Sequence, residues 1–440
     1  MRVDDIRLDV GVDGVHTELS GAVSMEKLDT EGLRIWFRAP SDLALHELDA
    51  SPFLPGLLAT AMWWGEDLEI DGPVSARLYE MVDQAMACYL NLYPHLHRIR
   101  VTAPTHVLTA GPHATACLFS RGVDSWYSVL TSLDRPNPGE AQVSHLVYVP
   151  SIDFMYGPEN LDRSLDDTRR AAADIGCELV VLESNLRRFT ERFQPWDVTF
   201  GGGLAGMALH LGEAFSHIRL AASFPLGAPT SFGSHPALDP LFSTERTQIV
   251  HSGATATRLD KVRYVAQVPV ALGNLKVCYT EDTAHNCGTC GKCVMTMLEL
   301  HVAGVRDLTE LFDVPLEPPA RACAVVQERR ARRPPRRGAR RARSARRPRQ
   351  PTVAQCPAPS VPAQRGPSAG FATAPCRDGA DAPPCRNLRD ARLTRPGLSA
   401  ERLLHRSARR AARRWCNTRD RRPARPRCPL RTCSGGRRPG

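Results

Sequence analysis

Two hydrophobic periods divide the chain. From about residue 111 to 266, short apolar runs rich in Val, Ile and Leu alternate with longer segments whose apolar positions recur every three to four residues. HATACLFS, VSHLVYVP (143–150), CELVVLES (177–184) and HIRLAASF (217–224) read as strands. DSWYSVLTSL, LDRSLDDTRRAAADIG (161–176), LAGMALHLGEAF (204–215) and ATRLDKVRYVA (256–266) read as helices, the last with Thr257 as cap. Strands that are apolar throughout suit burial on both faces, so the pattern predicts a doubly wound parallel α/β sheet. Residues 1–110 are less regular and read as a small α+β domain. In it LRIWFRAP (33–40) and HRIRVTAP (97–104) are strands and SARLYEMVDQAMACYLNLYPHL (75–96) is a helix.

After about residue 326 the periodicity disappears. Residues 326–440 hold 32 Arg, no Lys and 6 acidic residues, a charge of +26. Of the chain's 57 basic and 47 acidic residues, that leaves 25 and 41 for residues 1–325, a charge of −16. The overall +10 therefore describes neither part. Such an Arg/Pro-rich stretch cannot bury enough apolar surface to offset chain entropy and is expected to be disordered. A basic arm would grip phosphate backbones. A Lys-free, Cys-scattered composition is also what a GC-rich gene gives when read out of frame, and the tail reads as non-native or dispensable. The acidic body gives no reason to expect nucleic-acid binding. No apolar run reaches the roughly 18 to 20 residues that span a bilayer. MRVDDIRLDVGVDG has no signal-peptide core, so a cytoplasmic location is expected. A homodimer is left open.

Two clusters carry chemistry. The first is Ser120-Arg121-Gly122-Val123-Asp124-Ser125, between the first α/β strand and its helix. Loops at the carboxyl ends of parallel strands are where such sheets bind ligands, and a helix N-terminus favours an anion. Gly122 permits close backbone approach, Ser120 and Ser125 offer hydroxyls, and Asp124 is placed to cap the helix or hold magnesium. A plain capped turn accounts for the same residues. The second is Cys278, Cys287, Cys290 and Cys293, spaced C-x8-C-x2-C-x2-C. Four thiolates with no spare His or carboxylate suit a structural tetrahedral zinc ion, with an iron–sulfur cluster as rival. Small residues around Cys287-Gly-Thr-Cys290-Gly let the chain turn about a metal, and Cys293 is expected to open a helix.

SRGVDS is similar to the Ser-Gly-Gly-x-Asp-Ser signature of the PP-loop ATP pyrophosphatases, departing from it at Arg121. A PP-loop followed about 150 residues later by Cys-Tyr … Cys-Gly-x-Cys-x-x-Cys resembles 7-cyano-7-deazaguanine synthase of queuosine biosynthesis and its relatives. The resemblance covers roughly residues 111–300 and leaves 1–110 unexplained. It implies an adenine nucleotide alpha hydrolase-like fold, a loop that holds the pyrophosphate end of ATP, Asp124 acting with Mg2+, and zinc on the four cysteines. It implies an ATP-dependent ligase. A substrate carboxylate or amide is adenylated, pyrophosphate leaves, and a nitrogen nucleophile displaces AMP. The partners are then ATP and an unidentified small molecule. Sulfur transfer onto tRNA and a catalytically weakened nucleotide-binding protein are the alternatives.

Weaker candidates complete the set. Asp153, just after the second α/β strand, stands where that superfamily tends to hold adenosine. Arg258 and Lys261, about one helical turn apart, reach an anion or lie on a solvated helix face. His235 and Asp239 lie in a Pro-rich loop, His251 begins a Ser-Gly turn, and Gly201, Gly202 and Gly203 offer close approach to a ligand or a hinge.

Overall fold

The protein is described by a computed structural model. It covers residues 1–316 except 13, 29, 31, 110, 112, 113, 154–157, 228–231 and 279–285. The Arg-rich stretch and its expected disorder lie outside the described residues.

The chain begins with strands β1 (Arg2–Val10), β2 (His16–Ser24) and β3 (Arg34–Pro40). Helix α1 (Phe53–Trp64), β4 (Leu68–Ile70), β5 (Val74–Ser75), α2 (Ala76–Glu80), α3 (Val82–Leu92), β6 (Val101–Thr102) and β7 (Thr105–His106) follow. The second half runs β8 (Thr115–Leu118), α4 (Val123–Asp134), β9 (Val143–Tyr148), α5 (Pro158–Ile175), β10 (Glu178–Val181), β11 (Glu183–Ser184), α6 (Leu186–Glu191) and α7 (Trp196–Leu209). It closes with β12 (His217–Ala221), β13 (Gln248–Ser252), α8 (Arg258–Ala266), α9 (Pro269–Gly273) and α10 (Gly291–Val302).

The class is α/β. Five strands form a parallel sheet in the order β10-β9-β8-β12-β13. From β8 the chain steps to β9 on one side and later to β12 on the other, so the sheet switches direction beside β8. Alternate residues of each strand enter two cores. Ala116, Leu118, Val147, Ile218 and Leu220 join α1 and α7 on one side. Cys117, Phe119, Val143 and Leu146 join α4, α5, α8 and α10 on the other. Burial on both faces explains why these strands are rich in Val, Ile and Leu.

Residues 1–110 form a mixed sheet in the order β11-β3-β2-β1-β4-β6. It is not built from these residues alone. Its edge strand next to β3, β11, comes from beyond β10 and pairs Ser184 with Phe37. The core of this sheet is continuous with one face of the parallel sheet. The 75–96 helix breaks at Met81 into α2 and α3, and the expected 97–104 strand shrinks to β6.

The glycine triplet is neither a hinge nor a ligand contact. Gly201, Gly202 and Gly203 lie inside α7, which begins at Trp196 rather than 204 and is buried nearly throughout. A Cβ on Gly202 would stand 2.5 Å from the Pro55 carbonyl oxygen, and one on Gly206 2.5 Å from that of Pro52. The missing side chains let the backbones of α1 and α7 touch, which outweighs the poor helix propensity of Gly. Gly206→Val is expected to cost about 3 kcal/mol by overpacking, read as a lower denaturation midpoint in urea.

Candidate functional site: the 120–125 loop and the four-cysteine cluster

Strand β8 delivers the chain to its carboxyl end at the point where the sheet switches direction, and Ser120 to Ser125 follow there. Arg121 takes the left-handed conformation, φ 58°, that favours glycine. For a side-chain-bearing residue this costs about 1 kcal/mol. Its guanidinium does not face the loop. Arg121 is 4 % exposed. Its Nη1 pairs with Asp167 Oδ2 of α5 at 3.1 Å and its Nη2 donates to Ser164 Oγ at 3.2 Å. Arg121 therefore ties the loop to α5, and its charge is met by Asp167 rather than left for a phosphate. Asp167→Ala is expected to destabilise the fold by about 3 kcal/mol, because a buried guanidinium loses its anion. Thermal unfolding of the two proteins side by side measures this.

The loop is drawn tight around Ser125. Ser125 Oγ donates to the Gly122 carbonyl at 3.0 Å and accepts from the Ser120 N–H at 3.3 Å. The Lys276 N–H donates to the Arg121 carbonyl at 3.0 Å, so the segment leading into Cys278 braces the turn. Gly122 is the N-cap of α4, and no side chain caps the helix. The expectation that Asp124 caps it fails: Asp124 lies inside the first turn. The uncapped first-turn N–H groups remain an anion-favouring end.

Asp124 instead gathers the two cations from α8. Arg258 Nη1 donates to Oδ2 at 3.0 Å and Lys261 Nζ to Oδ1 at 3.1 Å. Lys261 is not on a solvated face; its side chain is 2 % exposed and also donates to the Ala222 carbonyl. Helix α8 is set by a capping box between Thr257 and Asp260, which fixes the turn that carries both cations. Arg258 reaches onward to Glu299 Oε2 at 3.3 Å and Thr296 Oγ1 at 3.3 Å on α10. Burial raises the Glu299 carboxyl above its ordinary range even though Arg258 opposes this. Sequence reading missed Glu299, Thr296 and Asp167, since nothing local marks them.

The four cysteines are buried, and their sulfurs lie within 4.8 Å of one another. Cys287 and Cys293 sulfurs are 3.9 Å apart and those of Cys290 and Cys278 are 4.0 Å apart. One ion about 2.3 Å from each of four sulfurs sets their separation near 3.8 Å, so the cluster fits a single tetrahedral metal such as zinc. Gly288, at φ 70°, makes the turn, and a Cβ there would meet the Val314 carbonyl oxygen at 2.5 Å. Helix α10 starts at Gly291, before Cys293, with Cys290 as N-cap; the Cys290 sulfur accepts from the Cys293 N–H at 3.4 Å. Burial pushes the Cys287 thiol up, but hydrogen bonds from Thr289 and the Cys290 N–H outweigh it and the net shift is down. Hydrogen bonding to Cys278 and Cys290, then burial, pushes the Cys293 thiol up. A cation at the centre supplies the charge these crowded sulfurs need. Asn286 holds the frame, accepting from the Val277 and Cys278 N–H groups and donating to the Leu275 and Leu311 carbonyls.

Scans of this chain against family models, curated proteins and solved structures find no match.

The other candidates fall elsewhere. Asp153 ends a 3-10 turn, Pro150–Asp153, directly after β9. Asp239 is fully buried, with Oδ2 2.7 Å from His251 Nδ1 and from Ser234 Oγ and with Oδ1 accepting from the His235 N–H at 3.1 Å. No hydrogen bond or ion pair among the described residues joins this group to the 120–125 loop. His251 lies in β13, a strand that the sequence pattern did not show. Among the described residues no helix is long and apolar enough to cross a membrane.

Proposed function

We propose that the chain is an ATP-dependent adenylating ligase of the PP-loop kind, built on a doubly wound, adenine nucleotide alpha hydrolase-like sheet. The observation that carries this reading is the convergence at the tip of β8. Residues 134 and 137 positions away along the chain, Arg258 and Lys261, close on Asp124 beside an uncapped helix N-terminus at the switch point of a parallel sheet. Anionic ligands bind at this place in such sheets. In this reading the loop amides and Ser120 receive the pyrophosphate end of ATP, and Asp124, the loop's one carboxylate, serves the magnesium that accompanies it. Arg258 and Lys261 stabilise the charge that moves onto the leaving pyrophosphate. A substrate carboxylate or amide oxygen attacks the α phosphorus, and a nitrogen nucleophile then displaces AMP. Zinc on Cys278, Cys287, Cys290 and Cys293 is structural, since four sulfurs leave no open position.

The sulfur-transfer reading has less in its favour. The sulfur separations suit one ion better than a multi-iron cluster. Outside the cluster, burial pushes the Cys117 and Cys177 thiols up to about 11, far from a reactive thiolate. A nucleic-acid role rests on the Arg-rich stretch alone.

The test is pyrophosphate release from Mg-ATP by the zinc-loaded full chain across a panel of carboxylates, 7-deazaguanine carboxylates included. Carboxylate-dependent release is the expected result. Tight Mg-ATP binding in calorimetry without release across the panel would point instead to a nucleotide-binding protein that has lost turnover.

A further inference from the structure

The group around His251 has no part in the reading above, and one of its atoms lacks an explanation. The His251 side chain is 4 % exposed, and its Nε2 is buried with no hydrogen-bond partner among the described residues. Buried ring nitrogens are normally satisfied, so an unpaired one calls for a reason.

The other ring nitrogen is fixed. Nδ1 stands 2.7 Å from Asp239 Oδ2, and an ionised carboxylate only accepts, so Nδ1 carries the proton. Asp239 is itself held by the Ser234 hydroxyl and the His235 N–H, and His251 is its one ion-pairing partner among the described residues. In the neutral imidazole, Nε2 is then a lone pair with nothing to accept. This is not a serine nucleophile and its base: Ser234 Oγ lies on the Asp239 side of the ring, 3.5 Å from Nδ1.

His251 lines a small pocket with Phe224, Leu226, Ser234 and His235. Phe224 and Leu226 are 40 % and 62 % exposed, an apolar rim at the carboxyl ends of β12 and β13. The same strand ends serve the 120–125 site. Ala222 accepts from Lys261 Nζ, Ser252 Oγ accepts from Ser128 Oγ of α4 at 2.8 Å, and a Cβ on Gly253 would lie 3.1 Å from Tyr127 of α4. The pocket thus lies by the carboxyl ends of β12 and β13, at the same end of the sheet as the 120–125 loop.

We propose that this pocket receives the nitrogen nucleophile, ammonia or a primary amine, and that His251 Nε2 takes its proton. The proposal rests on the adenylation reading. The nitrogen attacks the acyl carbon of the adenylate and a C–N bond forms. The bond from that carbon to the phosphate oxygen breaks, and AMP leaves with the electron pair. The proton shed by nitrogen goes to Nε2, and Asp239 stabilises the imidazolium that results. His251 is the catalytic residue and Asp239 positions it.

The first test needs no carboxylate substrate. In full-length protein labelled with 15N-histidine, NMR is expected to show His251 protonated at Nδ1 and bare at Nε2, with a saturable Nε2 shift on titration with hydroxylamine. Asp239→Asn is expected to lose that tautomer preference. A proton on Nε2 in the unliganded protein, or no saturable shift, overturns the proposal whatever becomes of ATP turnover. The second test compares two partial reactions with ammonium chloride as nucleophile. In His251→Gln the ratio of ammonium-dependent AMP release to ATP–pyrophosphate exchange is expected to fall about a hundredfold. A parallel fall of both reactions marks a structural role and overturns it. Absence of exchange in the wild type would count against the adenylation reading, and the tautomer and titration result still decides for or against the pocket.

Discussion

Cys290→Ser is expected to abolish metal binding by the four-cysteine cluster and to unfold the lobe around the 120–125 loop. Elemental analysis is expected to give about one zinc per wild-type chain and a marked loss in the variant. Stability should fall by about 4 kcal/mol or more, the scale reserved for loss of a metal or a comparable staple. Position 290 is chosen because its residue does three things. It supplies a sulfur, it caps α10, and its N–H supports the Cys287 sulfur at 3.3 Å. The damage is expected to spread along two routes. Residues 275–278 lose their anchor, and with them the Lys276 N–H that holds the Arg121 carbonyl. Helix α10 loosens, and with it the Glu299 and Thr296 grip on Arg258. Removing the metal from the wild type with a chelator should reproduce the melting shift. An unchanged melt after complete metal removal would contradict the structural role.

Asp124→Ala is expected to abolish pyrophosphate release and to destabilise the fold by about 3 kcal/mol. The two effects have separate causes. The first is loss of the loop's carboxylate from the site. The second follows from geometry alone: a lysine side chain 2 % exposed is left with the Ala222 carbonyl as its remaining hydrogen-bond partner among the described residues, while Arg258 keeps Glu299. The variant Asp124→Asn restores an acceptor of the same shape and should recover part of the stability but none of the turnover. A fully stable Asp124→Ala protein would show that Lys261 is not held as described. A stable or unstable variant that still released pyrophosphate would remove Asp124 from the reaction.

The local pattern settled a good deal. Strands β8, β9, β10 and β12 of the parallel sheet are rich in apolar residues because both faces of the sheet are covered, and such runs are visible without a fold. The four cysteines are close in sequence, so a cluster was legible from spacing alone. Thr257 was readable as a cap because capping is a matter of three neighbouring residues. What could not be read were relations between distant segments. Strand β13 is a five-residue piece, QIVHS, whose burial comes from pairing with β12. Strand β11 is two residues long and owes its existence to β3. The glycines of α7 looked like a break because helix propensity is local, whereas the contact that requires them, the backbone of α1, lies more than a hundred residues earlier.

The sequence by itself determined the alternation that makes the class α/β, the place of the Ser120–Ser125 turn between strand and helix, and the gathering of four thiols, because each depends on residues within a few turns of one another. Only the tertiary structure decided that Arg121 faces Asp167 instead of a phosphate, that Asp124 holds Arg258 and Lys261 instead of capping a helix, and that a buried His251 nitrogen has no partner among the described residues. Those outcomes depend on where buried charges find partners, and a buried charge is satisfied by whichever group the packing brings to it, however far away along the chain.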